Sequence, residues 1–180
     1  MGHKHTKDEL LAGALAVALD DGLSQLTFGR VAKHLGINDR TVVYYFPTKD
    51  DLVTEVLQSV GVALQDTLTP AFAEPAGDHL ELLRTAWAAL ARPEADPVFA
   101  LFFEANGLAA AGRSPYATLV PRLVETWIAW TAEFLQGTDD ERRIEAETTI
   151  AVLDGLLLLR QLAGPDAAER AARRLGLRAG

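Results

Sequence analysis

The chain has 180 residues, 49% of them apolar and 23% charged, a formal net charge of −8 and no cysteine. That composition is ample for a hydrophobic core and ordinary for a globular protein. The missing cysteines exclude disulfide staples, thiolate zinc sites and a cysteine nucleophile. No apolar run approaches the ~20 residues that span a bilayer, and MGHKHTKDEL lacks the apolar stretch of a signal peptide. A cytoplasmic protein with no membrane partner is expected. The charge is unevenly spread: residues 1–50 carry six basic and six acidic side chains, and the remainder carries 11 basic against 19 acidic. The acidity therefore belongs to residues 51–180, where it aids solubility and repels polyanions.

In chain order, Met1 to His5 reads as a frayed arm, and His3 and His5 within such an arm do not make a metal site. Thr6, with Glu9 three residues on, is a capping box that opens the first helix. Leu11, Leu15, Ala18 and Leu19 repeat there at helical spacing, with Leu10 and Ala14 alongside. Asp20-Asp21-Gly22 ends that helix, the glycine supplying a left-handed stop. Thr27 then caps a second helix, Phe28 to Leu35. Gly36-Ile37-Asn38 forms a tight turn, and Asn38 caps a third helix, Asp39 to Tyr45. Two short helices joined by a three-residue turn containing glycine have the form of a helix-turn-helix. Phe28, Val31, Ala32, Leu35, Ile37, Val42, Tyr45 and Phe46 are expected to close a small core beneath both. Asp39, Arg40, Thr41, Val43 and Tyr44 are left facing outward.

Pro47 breaks the chain, and Thr48 opens a fourth helix to about Leu68, with Asp50 and Asp51 complementing its dipole. Thr69 to Asp78, with two prolines and a glycine, reads as a loop and the best linker. Helices follow over Leu80–Leu90, Val98 to about Gly112, Ser114–Leu135 with Pro121 one turn inside, Asp140–Leu162, and Asp166 to about Leu175. Strand alternation is absent, and so is any repeat of solenoid length. The expected fold is all-α with about nine helices.

The string GINDRTVVYYFPTKDDL, preceded by LTFGRVAKHL, resembles the DNA-binding segment of the TetR family of bacterial transcriptional regulators. The likeness covers roughly residues 6 to 57; beyond them only the helical layout and DGLLLLR look similar. It implies a helix-turn-helix domain over residues 1–47 and a ligand-binding and dimerisation domain over residues 48–180. By position it assigns DNA contacts to Thr27, Asn38, Asp39, Arg40, Thr41, Val43, Tyr44, Tyr45 and Lys49. On chemistry, Arg40 suits guanine O6 and N7 and Val43 a thymine methyl. Thr41, Tyr44 and Lys49 suit phosphates, which position rather than specify. Tyr45, three residues after Val42, is expected to be half core. Arg40 and Val43 stand where the family often has a small residue and a tyrosine, and Asp39 places a negative charge on the reading helix.

Trp87, Phe99, Phe102, Phe103, Trp127 and Trp130 are read in two ways: as plain core, or as the wall of an apolar cavity with few polar groups. In the second reading Glu104 and Asn106 are the polar anchors. The Asp140–Leu162 helix carries two apolar stripes, which need two burying surfaces. A second subunit is the simplest second surface. Resemblance implies that the last two helices pair across a two-fold axis, through Ile150, Leu153, Leu156, Leu157, Ala168, Ala171 and Leu175.

No phosphate-cradling glycine loop, HExxH or triad spacing is present, and neither cofactor, metal nor enzymatic activity is expected. The reading is a ligand-responsive regulator, most simply a repressor that binds a palindromic operator on double-stranded DNA as a homodimer and leaves it when a small apolar effector binds. The alternative is a helical carrier or enzyme that keeps the helix-turn-helix only as scaffold.

Overall fold

The computed structural model describes residues 5–72 and 74–177; residues 1–4, with His3, lie outside them. Among the described residues there are nine α-helices, three short 3₁₀ turns and no strand. The helices are α1 (Lys7–Asp21), α2 (Phe28–Leu35), α3 (Asp39–Tyr45), α4 (Lys49–Leu68), α5 (His79–Leu90), α6 (Asp96–Ala110), α7 (Tyr116–Ala132), α8 (Asp139–Ala163) and α9 (Pro165–Arg174). The chain forms two compact units: Met1–Gly61 with Leu101–Val120, and Val62–Ala100 with Pro121–Gly180. This grouping brings the stretch around the α6–α7 turn into the same unit as the helix-turn-helix, and does not follow a simple division at residue 47.

In the first unit the local signals explain the turns. Thr6 and Glu9 exchange backbone and side-chain hydrogen bonds of 3.0 and 3.2 Å at the start of α1. The buried stripe of α1 is Leu10, Gly13, Ala14, Val17 and Ala18, and Leu11, Leu15 and Leu19 are only half-buried. The expected stripe is thus rotated by about one position. The reason is a close crossing with α2: a Cβ at Gly13 would lie 2.7 Å from Leu35 Cδ2, so the tightest contact sits on the face with the smallest residues. Gly36 at φ +66° ends α2, with Ile37 N–H donating to Ala32 O at 2.9 Å and Gly36 N–H to Lys33 O at 3.3 Å. That pair of bonds is a Schellman stop, which needs the left-handed residue. Val31, Ala32, Val42 and Phe46 are buried beneath the two helices; Phe28, Leu35, Ile37 and Tyr45 close its rim, half-buried. Lys7 bridges to Glu55 at 2.5 Å and lies 5.7 Å over the Phe46 ring, tying α1 to α4.

In the second unit, Thr69–Asp78 is not a free linker. Thr69–Ala71 forms a 3₁₀ turn, Phe72 and Ala76 are buried, and Ala76 N–H donates to Phe134 O at 2.8 Å. Phe72 packs on Phe134 and Trp130, with ring centroids 5.0 and 5.8 Å away. Two residues, Phe72 and Ala76, that proline and glycine made look like linker are held by aromatic packing and backbone pairing. Helix α8 packs on both α5 and α9. His79 donates its backbone N–H to Glu145 at 2.8 Å, and Ala168 and Ala172 are fully buried where α9 meets the chain.

Candidate nucleic-acid interface

Helix α3 has one face committed to the core and another committed to nothing. Val42 and the following Phe46 are 0% and 1% exposed, whereas Val43 is 40% and Tyr44 79% exposed. Asn38 caps the helix by accepting from Arg40 N–H at 2.9 Å, and Thr27 caps α2 by accepting from Arg30 N–H at 3.3 Å. Asp39 and Arg40 are exposed, Thr41 is half-exposed, and Lys49 is exposed at the first position of α4. The cations differ in their state. Arg30 is spent on Asp21 at 2.6 Å, while the Arg40 side chain has no partner among the described residues. Tyr45 is half-buried, and its hydroxyl donates to the His5 carbonyl at 2.9 Å. Of the nine residues expected at DNA, eight are thus presented on the surface around α3, and Tyr45 is largely committed to holding the chain that leads into α1.

Residues 10–56 match the family model described as bacterial regulatory proteins, tetR family. This chain therefore carries a TetR-like head. Its fold agrees along nearly the whole length. A transcriptional regulator from Rhodococcus sp. Rha1 is 25% identical with a TM-score of 0.74, over 95% of each chain. A TetR transcriptional regulator from Legionella pneumophila is 20% identical with a TM-score of 0.67, over 97% of this chain and 96% of that one. The multidrug binding protein EbrR, solved with imidazole, is 24% identical with a TM-score of 0.67, over 97% and 93%. A search among curated proteins returns no match. Residues 10–56 thus resemble the DNA-binding segment of these regulators, and the chain shares their fold.

The residues expected to line a pocket are divided between the two units. Phe102, Phe103, Glu104 and Asn106 fall in the first unit, and Trp87, Phe99, Trp127 and Trp130 in the second. Trp87 is 1% exposed and its indole donates to Glu169 at 3.3 Å, a core role. Glu104 is no free anchor: it accepts from Leu23 N–H at 2.7 Å, Ser24 N–H at 2.9 Å and Ser24 Oγ at 2.5 Å. Burial alone would raise its pKa, but the Ser24 hydroxyl and the two amides together hold it below the usual carboxylate range. Asn106 does keep a buried Oδ1 with no hydrogen-bond partner. Trp127, Trp130, Phe134 and Phe72 form a continuous edge-to-face and tilted cluster with centroids 4.8–5.8 Å apart. Phe72, a lone aromatic between prolines in a stretch that reads as a linker, carries no periodic signal in the sequence.

The first unit has a cleft of about 270 Å³ beside the start of α4, lined among others by Ser24, Lys49, Asp50, Arg113, Ser114 and Tyr116. Ser114 Oγ donates to Asp50 at 2.9 Å. The Tyr116 phenol is pushed up to about 12, by burial first and then by the negative charges of Glu104 and Asp50.

The expected dimer residues also divide. Leu156, Leu157 and Ala168 are 5%, 1% and 0% exposed within a single chain, which leaves them no surface for a partner. Ile150, Leu153 and Ala171 are half-buried, and Leu175 is 47% exposed. The apolar stripe open to solvent on α8 is a different one: Ile144, Ala151, Gly155, Leu158 and Leu162. Packing against α5 and α9 buries Ala146, Leu156 and Leu157 and half-buries Ile150, Val152, Leu153 and Leu159, while the line above stays open.

Proposed function

We propose that the chain is a ligand-responsive repressor that binds a palindromic operator as a homodimer and leaves it when a small, largely apolar effector binds. The observation that carries DNA reading is the outward face of α3, where Arg40 is exposed without a side-chain partner among the described residues, beside exposed Val43 and Tyr44. An arginine in a groove forms a paired contact to guanine, a valine meets a thymine methyl, and a tyrosine hydroxyl reaches phosphate. Thr27, Asn38, Asp39, Thr41 and Lys49 surround them as positioning contacts.

The head is electrically balanced, with six basic and six acidic side chains in residues 1–50, so one head alone neutralises few phosphates and binds weakly. Two heads on one dimer supply the rest. The exposed stripe Ile144, Ala151, Gly155, Leu158 and Leu162 supports pairing through α8: its small central residues let a partner helix approach, and its large ends bury apolar surface. Two-fold symmetry then matches half-sites roughly 34–36 Å apart or a multiple of that. For the effector, the aromatic cluster of Phe72, Trp127, Trp130 and Phe134 supports an apolar ligand, and a protein of the same fold is described as multidrug binding. Release requires that the ligand favour a head spacing that does not fit the operator.

Retardation of the intergenic DNA beside its own gene, at a series of salt concentrations, tests the reading. A steep decline in affinity with salt supports it; no retardation at low salt overturns it.

A further inference from the structure

The cleft beside the start of α4 lies wholly within the first compact unit, and none of its lining residues belongs to the aromatic cluster or to the outward face of α3. At about 270 Å³ it is a little smaller than the clefts of roughly 300–1,000 Å³ that take drug-sized ligands. That size suits a molecule of a few carbon atoms. Buried Tyr116 and half-buried Leu108 and Pro115 supply its apolar surface, and the rest of the lining is polar and exposed.

The polar lining divides into groups that only donate and groups left only to accept. Ser24 Oγ donates to Glu104 at 2.5 Å and Ser114 Oγ donates to Asp50 at 2.9 Å, so each hydroxyl has its hydrogen engaged and lone pairs to offer. Asp50 is an acceptor too, and Ser114 occupies one of its oxygens. Lys49 and Arg113 only donate, and neither side chain has an ion-pair or hydrogen-bond partner among the described residues. The Tyr116 phenol, pushed up to about 12 by burial and by the Glu104 and Asp50 charges, keeps its proton through the neutral range.

A ligand that meets both sets carries negative charge and hydrogen-bond donors together. Arginine pairs with phosphate through its planar fork, and lysine does so as a point charge. A bare anion would leave Asp50, Ser24 and Ser114 against acceptors, and a neutral polyol would leave both cations unpaired. Hydroxyls on a short carbon chain supply the missing donors. We propose that the cleft binds a small polyol phosphate ester, with its phosphate on Lys49 and Arg113 and its hydroxyls on Asp50, Ser24 and Ser114. The site is separate from the aromatic cluster and takes a ligand of opposite character. On the regulator reading above, Lys49 is also a phosphate contact for DNA, so the bound ester and an operator phosphate compete for one ammonium.

Amide NMR titration of the isotope-labelled full chain with glycerol 3-phosphate, at fixed ionic strength, tests the site. Saturable shifts confined to the amides around Ser24, Asp50 and Ser114 are expected in the millimolar range. Sulfate, which has charge without donors, is expected to bind about tenfold more weakly, the equivalent of about one charge-assisted bond; glycerol, which has donors without charge, is expected to give no saturable shift. Arg113→Gln changes an exposed side chain on the α6–α7 turn and is expected to weaken the ester about tenfold with an unchanged melting temperature. Absence of saturation at these amides overturns the proposal, and so does equal binding of sulfate or equal affinity in Arg113→Gln. In retardation of the intergenic DNA, the ester is expected to lower the affinity of wild type more than that of Arg113→Gln; the same effect on both, or none on either, overturns the competition. If wild type fails to retard the DNA at all, the regulator reading falls, and the titration still decides the cleft.

Discussion

Tyr44 and Tyr45 set their rings edge-on, with centroids 5.0 Å apart at 89°, and are committed to opposite tasks. Tyr44 is 79% exposed, and the Tyr45 hydroxyl donates to the His5 carbonyl at 2.9 Å. Tyr44→Ala is therefore expected to weaken operator binding in fluorescence anisotropy with no change in melting temperature. Tyr45→Phe removes one half-buried hydrogen bond and is expected to cost about 0.5–1.5 kcal/mol of stability. The reverse pattern, with stability lost at Tyr44 and affinity alone lost at Tyr45, would exchange their roles.

In the proposed reading, Arg40 carries the sequence specificity. Its backbone N–H is occupied by the Asn38 cap, so the helix start survives truncation of the side chain. Arg40→Ala is expected to weaken binding to the cognate palindrome by about 1–3 kcal/mol and to relax preference at one base pair. Competition with single-base operator variants measures this. Equal weakening on unrelated DNA would make Arg40 a phosphate contact instead.

These contrasts show what the sequence makes legible. Caps and stops are local, and Thr6, Glu9, Thr27, Gly36 and Asn38 all take the roles their residue types dictate. Rotational register is not local: the stripe of α1 turns by one position because Gly13 admits Leu35, a contact 22 positions distant in the chain. The partner of a polar residue is less legible still. Glu104 beside two phenylalanines resembles a pocket anchor, and only the fold brings Leu23 and Ser24 to it. Which stripe of α8 is left over likewise depends on how many neighbours it has, and periodicity alone does not count them.

The exposed α8 stripe is the place to test the proposed assembly. Leu158 and Leu162 are 39% and 79% exposed in the single chain. A Leu158→Glu, Leu162→Glu double variant is expected to be folded and monomeric in multi-angle light scattering. Leu156→Ala, at a residue 5% exposed, is expected to lose about 2–5 kcal/mol of stability by cavity formation and to remain a dimer while folded. A double-glutamate variant that stays dimeric would remove α8 from the interface.

Asp154 gives stability a pH dependence of known sign. It lies in the apolar stretch of α8, and burial pushes its carboxyl up from 3.8 to about 6. The native state thus binds the proton more tightly than the unfolded chain, whose carboxyl titrates near the ordinary value of about 3.9. Between these two values the native state holds more protons, so stability from this group is full below the unfolded pKa and is lost as pH rises through about 6. Above that, the native state carries a desolvated negative charge. Asp154→Asn keeps the shape and removes the charge. It is expected to stabilise the protein by an amount on the order of 1–3 kcal/mol near pH 7.5, with the gap closing as pH falls toward about 4. Thermal unfolding of both proteins across that range measures it. A gap that is constant with pH, or that widens on acidification, would mean that Asp154 is charged at little cost in the native state.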